Sequence, residues 1–129
     1  MKVISTPNAP GAIGPYSQGY EAGGFVFTSG QIPVDPVTGQ IPEGIEKQAH
    51  QSCKNVGAIL EAAGVSFENV VKTTCFLADM GDFAQFNGVY AQYFVSKPAR
   101  SCVAVKKQRW PNRIQPMCWI VGLFLPWKP

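Results

Sequence analysis

Acidic residues are missing from the C-terminal part of this chain. All eight aspartates and glutamates lie between Glu21 and Asp82, so residues 83–129 contain no carboxylate side chain. The chain has 129 residues, of which 15% are charged, and its net charge is +3. A nucleic-acid or membrane surface needs many Lys and Arg side chains clustered on one face. The small net charge therefore does not indicate either partner.

Cysteine and histidine are too few and too scattered to indicate a metal centre. The four cysteines, Cys53, Cys75, Cys102 and Cys118, form no CxxC pair, and His50 is the only histidine. Structural zinc sites and thiol redox motifs depend on such close spacing. We therefore expect no metal and no cofactor. We expect His50, on the polar side of its predicted helix, to face solvent.

Long apolar segments are absent as well. The longest run, Met117–Leu125, is too short to cross a bilayer as a helix. The first residues, MKVISTPNAP, contain no apolar stretch of signal-peptide length. We expect a cytoplasmic protein with reduced cysteines and no membrane partner.

Glycine and proline, by contrast, are abundant, with 13 and 11 copies. Because helix interiors exclude both residues, they argue against a helical bundle. Period-two and β-branched patterns predict strands, and Ala22-Gly23-Gly24 predicts a hairpin turn. Apolar spacings of three and four predict two helices, the second capped by Asp79 or Asp82 and ended by Pro98. The predicted strands are 17–21, 25–32, 70–77, 100–106 and 117–125, and the first helix is 44–63.

This order of elements predicts one α+β domain over residues 1–129, with both helices on one face of a single sheet. The other sheet face would stay uncovered in a monomer. An apolar face of that size normally meets a partner, so we expect oligomerisation.

Arg100 is the side chain most suited to chemistry. It follows Pro98-Ala99 and begins a strand that otherwise favours apolar residues. Its guanidinium either faces solvent or lies at a pocket wall, where it could bind a carboxylate bidentately. Cys102 would share its face, and a buried inert thiol is the common outcome for such a cysteine.

Five segments, in this order, resemble the Rid family, also called the YjgF family. They are Ala9–Gln18, Thr28–Pro33, Asn69–Lys72, Asp82–Tyr90 and Pro98–Val103. The resemblance covers roughly residues 1–106, and residues 107–129 depart from it. Family members are deaminases that hydrolyse 2-iminobutanoate, 2-iminopropanoate and their enamines, which pyridoxal-phosphate-dependent threonine and serine dehydratases release. The products are 2-oxo acids and ammonia.

The resemblance implies a chorismate-mutase-like fold with a six-stranded mixed sheet, two helices on one face and a homotrimeric barrel. Active sites would lie in clefts between subunits and need no cofactor. Arg100 would bind the substrate carboxylate. The other pocket residues would be Tyr16, Ser29, Gly30, Asn87 and Cys102.

The family's water-activating Glu lies fifteen positions after this Arg, where the present chain has Gln115. A glutamine can hydrogen-bond a water but cannot accept its proton near neutral pH. We therefore expect an impaired deaminase. The altered C-terminal tract fits natural divergence or a changed reading frame.

The alternative is a non-catalytic trimer of the same fold that binds a small carboxylate or a protein. A ribonuclease is not expected, because no base-stacking platform is recognisable.

Overall fold

The computed structural model describes residues 1–105 in full and residues 109–110, 113–114 and 119–124 as backbone. The described chain contains two α-helices, α1 (Ile45–Ala62) and α2 (Phe83–Tyr93). Its strands are β1 (Lys2–Ile4), β2 (Gly19–Ala22), β3 (Phe25–Thr28), β4 (Val70–Leu77), β5 (Ala99–Ala104), β6 (Arg109–Trp110), β7 (Arg113–Ile114) and β8 (Trp119–Phe124). The α+β class predicted from the sequence is confirmed.

The main sheet has the strand order β1-β2-β3-β8-β4-β5. The β4–β5 pair is parallel, and the other neighbours are antiparallel. The short strands β6 and β7 pair with each other in a separate sheet. Strand β8 lies within the predicted range 117–125 and pairs with both β3 and β4, so the prediction that this segment enters the sheet is confirmed.

The β2–β3 hairpin forms where two adjacent glycines permit it. Gly23 and Gly24 have φ angles of 60° and 81°. A two-residue hairpin turn with positive φ at both positions requires such angles, and residues with a side chain rarely adopt them. The turn fixes the register, so Val26 and Thr28 are buried while Phe25 and Phe27 lie on the other face.

The two helices pack together on the buried face of the sheet. Helix α1 has the predicted apolar stripe, including Cys53, Val56 and Ile59, and Gly64 follows it with a φ of 76°. These side chains share one core with Val26 of β3, with Cys75 and Leu77 of β4, and with Phe86 of α2. No helix in the described part of the chain is long and apolar enough to cross a membrane.

Helix α2 begins as predicted but ends earlier. Asp79 accepts a hydrogen bond from the Gly81 N–H at 2.7 Å and caps the short 3₁₀ turn Met80–Asp82 that leads into the helix. The prediction that Pro98 ends the helix was wrong, because α2 ends at Tyr93. Phe94 leaves the helical conformation while its buried ring stacks on Tyr90, so packing turns the chain back toward β5 before the proline.

The opposite sheet face carries exposed apolar side chains. Val3, Tyr20 and Phe27 are register partners across β1, β2 and β3, and all three are at least 37% exposed. Phe25 and Val103 are exposed as well. No helix among residues 1–105 covers this face, as the sequence predicted.

Candidate functional site

Arg100 lies on β5, at the edge of the sheet and on the face that α2 covers. Its backbone is the register partner of Thr73 on β4. Its half-buried side chain donates a hydrogen bond from Nη1 to Asn87 Oδ1 at 2.7 Å. The guanidinium carbon lies 4.7 Å from the centroid of the Tyr90 ring and 5.4 Å from that of Phe83. One polar contact and two aromatic rings, all from α2, therefore hold the Arg100 guanidinium.

An open depression of about 570 Å³ begins at the Arg100 side chain. Its walls come from the end of α2 and the turn into β5, namely Tyr90, Ala91, Phe94, Val95, Lys97, Pro98 and Arg100. The sequence left Arg100 either in solvent or at a pocket wall, and the structure places it at a pocket wall. An open, mostly apolar depression with a guanidinium in its wall can receive a small carboxylate.

Cys102 lies two residues beyond Arg100 on the same face, as predicted, and is the register partner of Cys75. Burial raises the pKa of its thiol, and the positive charge of Arg100 opposes that effect only in part. The thiol is therefore protonated near neutral pH and is a poor nucleophile. The thiol is half-buried and not fully buried as expected, and its inertness stays a prediction.

Ser29 and Gly30 follow the end of β3, and Ser29 is bonded to the segment that directly follows Tyr16. We call Tyr16, Ser17, Ser29 and Gly30 the β3 cluster. Ser29 donates from its hydroxyl to the Ser17 carbonyl at 2.5 Å and from its N–H to the Gln18 carbonyl at 2.9 Å. The exposed Tyr16 hydroxyl accepts a hydrogen bond from the Ile13 N–H at 3.3 Å. A second depression, of about 250 Å³, reaches this cluster at Ser17 and Ser29.

The two clusters do not meet within this chain. Phe27 pairs with Leu123, Leu123 with Lys72, and Lys72 with Ala99, so β3 and β5 are at the same level but three strand spacings apart. Three spacings correspond to about 14 Å. Of the residues predicted for one pocket, the structure therefore brings together Arg100, Asn87 and Cys102 and leaves the β3 cluster apart.

Phe83 and Tyr90, which lie beneath the guanidinium, were not predicted as site residues from the sequence. A signal was present, because Phe83, Asn87 and Tyr90 have the spacing of four and three that places side chains on one helix face. Gln18 was also missed. Its buried amide accepts from the Thr6 N–H at 2.7 Å and donates to the carbonyls of Thr6, Ala9 and Pro10, so it fixes the loop that carries Tyr16.

Two further expectations concern His50 and Gln115. The prediction that His50 faces solvent was wrong, because its ring is half-buried between the helices. His50 Nδ1 lies 2.9 Å from the Tyr93 hydroxyl and so links α1 to α2. Gln115 lies outside the described residues. Within the described part of the chain, no group of three or more His, Cys, Asp or Glu side chains could hold a metal ion.

The chain matches the sequence model of one protein family, described as endoribonuclease L-PSP, over residues 6–113. This match extends beyond the boundary near residue 106 that the sequence suggested. A RutC family protein of Pyrococcus horikoshii is 55% identical over 115 residues, which are 88% of this chain and 90% of that protein. A 2-iminobutanoate/2-iminopropanoate deaminase of Salmonella typhimurium is 53% identical over 82% of this chain and 86% of its own.

Solved structures give the same result for the fold. The crystal structure of Escherichia coli TdcF with bound serine has a TM-score of 0.87 and 46% sequence identity to this chain. The alignment covers 97% of this chain and 98% of that one.

Proposed function

The chain belongs to the endoribonuclease L-PSP family, the Rid family that its sequence resembles, and on that premise we propose that it is a 2-iminobutanoate/2-iminopropanoate deaminase. It would hydrolyse the imines and enamines that threonine and serine dehydratases release, giving 2-oxo acids and ammonia. We further propose that residues 1–129 form one domain and that the protein works in the cytoplasm, as its scattered cysteines suggest.

The observation that carries this proposal is the Arg100 guanidinium, held by Asn87 and Tyr90 at the wall of an open depression. Only one of its five N–H donors is bonded to Asn87, so a pair of parallel donors remains for a carboxylate. A 2-imino acid has its carboxylate next to the C=N carbon. Binding the carboxylate would therefore fix the position of the carbon that water must attack.

Hydrolysis then requires little more from the protein. Water adds to the C=N carbon, the nitrogen takes up the protons, and the C–N bond breaks to leave the 2-oxo acid and ammonia. We propose that the side chain at position 115 orients the water. Because Gln115 cannot accept a proton, we expect a rate below that of relatives with Glu, and a general base typically contributes ~10²–10⁴-fold.

We propose a homotrimer whose clefts combine the two clusters. Two observations support it. Arg100 and the β3 cluster are about 14 Å apart within one subunit, by strand spacing, so one small ligand cannot touch both there. The exposed face with Val3, Tyr20 and Phe27 also needs cover. In the trimer, Tyr16, Ser29 and Gly30 of one subunit would face Arg100, Asn87 and Cys102 of the next.

The test is a coupled reaction of threonine, a threonine dehydratase and this protein, in which 2-oxobutanoate formation is followed over the first seconds. We expect acceleration over the dehydratase alone, and we expect Arg100→Ala to lower kcat/KM about hundredfold, since charged hydrogen bonds are worth ~1.5–3 kcal/mol. Lys54→Ala, which removes an exposed positive charge from α1, is the matched control. Acceleration that survives Arg100→Ala would contradict the assigned role.

Gln115→Glu tests the role of position 115. We expect this substitution to raise kcat with little change in KM, because it restores a proton acceptor without altering the carboxylate site. An unchanged rate would mean that position 115 does not reach the water. The intact mass of the expressed protein separates an authentic C-terminal tract from a changed reading frame.

The second candidate is a non-catalytic trimer that binds small carboxylates. The glutamine at position 115 favours it, because binding needs Arg100 but no base. Calorimetry distinguishes the two candidates. A protein that binds 2-oxobutanoate but does not accelerate its formation would be the binding module. We do not propose ribonuclease activity despite the family's description, because the Tyr90 ring at the described site is buried beneath Arg100 and is not available to stack on a base.

A further inference from the structure

The Tyr90 ring lies directly beneath the Arg100 guanidinium. The guanidinium carbon is 4.7 Å from the ring centroid, within the range in which a cation is attracted to an aromatic face. The side-chain oxygen of Asn87, Oδ1, accepts a hydrogen bond from the same group at 2.7 Å. Tyr90 therefore contacts the group that would bind substrate, and its hydroxyl points to a different partner.

That partner is Thr73, whose hydroxyl lies 2.6 Å from the Tyr90 hydroxyl in the buried core. Phe94 stacks on the ring at 4.2 Å between centroids, and Phe86 lies at 5.8 Å. Only 8% of Tyr90 is exposed. The ring is therefore fixed on its far face and at its hydroxyl, and it cannot move away from the arginine without breaking core contacts.

Thr73 also lies beside the backbone of Arg100. It is the register partner of Arg100 in the parallel β4–β5 pair, so the residue that bonds the Tyr90 hydroxyl is also the strand neighbour of the arginine. Each of the three residues therefore contacts the other two. Thr73 and Arg100 are neighbours in the sheet, the Arg100 guanidinium lies on the Tyr90 ring, and the Tyr90 and Thr73 hydroxyls are hydrogen-bonded. Such mutual contacts limit the rotamers that the long Arg100 side chain can adopt.

We propose that Tyr90, anchored by Thr73, is a positioning residue that holds the Arg100 guanidinium in its carboxylate-binding orientation before substrate arrives. The proposal rests on the proposed function of Arg100. Arginine has several rotatable bonds, and ordering such a side chain on binding costs affinity. The aromatic platform removes that cost in advance. Burial raises the pKa of Tyr90 to about 12, so the ring stays neutral over the working pH range.

The test compares Tyr90→Leu with Tyr90→Phe in the full-length protein. Leucine removes the platform, whereas phenylalanine keeps the ring and loses only the bond to Thr73. The matched controls are Tyr93→Leu and Tyr93→Phe. Tyr93 lies on the same helix and is half-buried, and its hydroxyl pairs with His50 at the contact between the helices.

The first measurement is the NMR signal of the Arg100 Nε–Hε group, assigned by its loss in Arg100→Lys. In the wild type we expect this signal to be shifted by the ring current of the aromatic platform. In Tyr90→Phe, which keeps the ring but loses its bond to Thr73, we expect a smaller shift. In Tyr90→Leu we expect it among the signals of exposed arginines. Both Tyr93 variants should leave it in place. An unshifted Arg100 signal in the wild type would overturn the proposal.

The second measurement separates KM from kcat. A half-buried cation–aromatic contact is worth about tenfold in affinity, so we expect Tyr90→Leu to raise KM about tenfold with kcat changed less than twofold. Tyr90→Phe should raise KM less than Tyr90→Leu does, because the ring is kept and only its bond to Thr73 is lost. An unchanged KM in folded Tyr90→Leu would overturn the positioning role. Should Tyr90→Leu fail to fold, Thr73→Val keeps the ring but frees it, and a smaller ring-current shift with a higher KM is expected. An unchanged shift and KM in Thr73→Val would overturn the anchor.

Failure of the proposed function gives a different pattern. A wild-type protein that does not turn over the imine but binds 2-oxobutanoate would contradict the deaminase assignment. In that case the dissociation constant replaces KM, and the same variants decide the role of Tyr90. A wild-type protein that neither turns over the imine nor binds 2-oxobutanoate would overturn both proposals.

Discussion

Asn87→Asp would place a negative charge on the group that holds Arg100 while keeping the size of the side chain. Asn87 Oδ1 accepts a hydrogen bond from Arg100 Nη1 at 2.7 Å, and an aspartate oxygen can occupy the same place. The guanidinium would then be paired within the protein. A ligand carboxylate on its remaining donors would meet a second carboxylate across the same group. We therefore expect Asn87→Asp to weaken carboxylate binding far more than Asn87→Ala.

The size of the effect follows from the geometry of the guanidinium. A carboxylate on the free donors would lie about 6 Å from the new one, which at an effective dielectric constant of about 20 gives about 3 kcal/mol of repulsion. This corresponds to about hundredfold weaker binding. Asn87→Ala loses only one neutral acceptor, worth about 1 kcal/mol, or about fivefold.

Calorimetry with 2-oxobutanoate at pH 7 measures both variants, at low and at physiological salt. The loss of affinity in Asn87→Asp should be smaller at physiological salt than at low salt, because ions partly screen charges at this separation. The control is Asn69→Asp, which adds the same charge at an exposed position before β4. Binding by Asn87→Asp that equals or exceeds that of Asn87→Ala would refute Arg100 as the carboxylate site.

Three further predictions concern stability and assembly. Gln18→Ala should lower the free energy of unfolding in urea by about 3 kcal/mol, because the buried partners of Gln18 lose their hydrogen bonds. The control Gln48→Ala breaks one half-buried bond to the Pro42 carbonyl and should lower it by less than about 1 kcal/mol. Equal losses would contradict the role of Gln18 in fixing its loop. Burial raises the pKa of Tyr90 to about 12, so the stability that its neutral form contributes should be complete below pH 10.0 and lost as pH rises through 12. Unfolding measured against pH should show a smaller loss in Tyr90→Phe than in the wild type, and the remainder should include Tyr93, whose pKa burial also raises. Phe27→Asp should convert the proposed trimer into monomers in light scattering at equal protein concentration. A wild-type monomer would contradict the trimer, and an unchanged mass of the variant would place the subunit contact elsewhere.

The helices and most strands followed from local patterns in the sequence. The stripe on α1 and the glycine after it depend on residues three and four apart, so they can be recognised without knowing the rest of the fold. The end of α2 could not be recognised in that way. It depends on Phe94 finding a buried place beside Tyr90, a tertiary contact that overrode the more obvious signal of Pro98.

The sequence predicted only the part of the candidate site that depends on local spacing. Arg100 and Cys102 share a strand, so their common face follows from a period of two. The separation of Ser29 from Arg100 depends on which strands lie between β3 and β5, and pairing between distant strands leaves no local trace. The Thr73 anchor also arises from pairing across strands, so only the structure could show it.

The position of β8 has a consequence for how the chain folds. This strand comes last in chain order among the described strands, yet it lies in the sheet between β3 and β4, and Val26 pairs with Phe124. The β1–β3 meander and the β4–α2–β5 unit can each form from nearby residues, but they become one sheet only when a distant segment pairs with both. Contacts between residues so far apart slow folding, and the open edges of β3 and β4 can meanwhile pair with other chains. We therefore expect a late, rate-limiting insertion of β8, and refolding yields that fall as protein concentration rises.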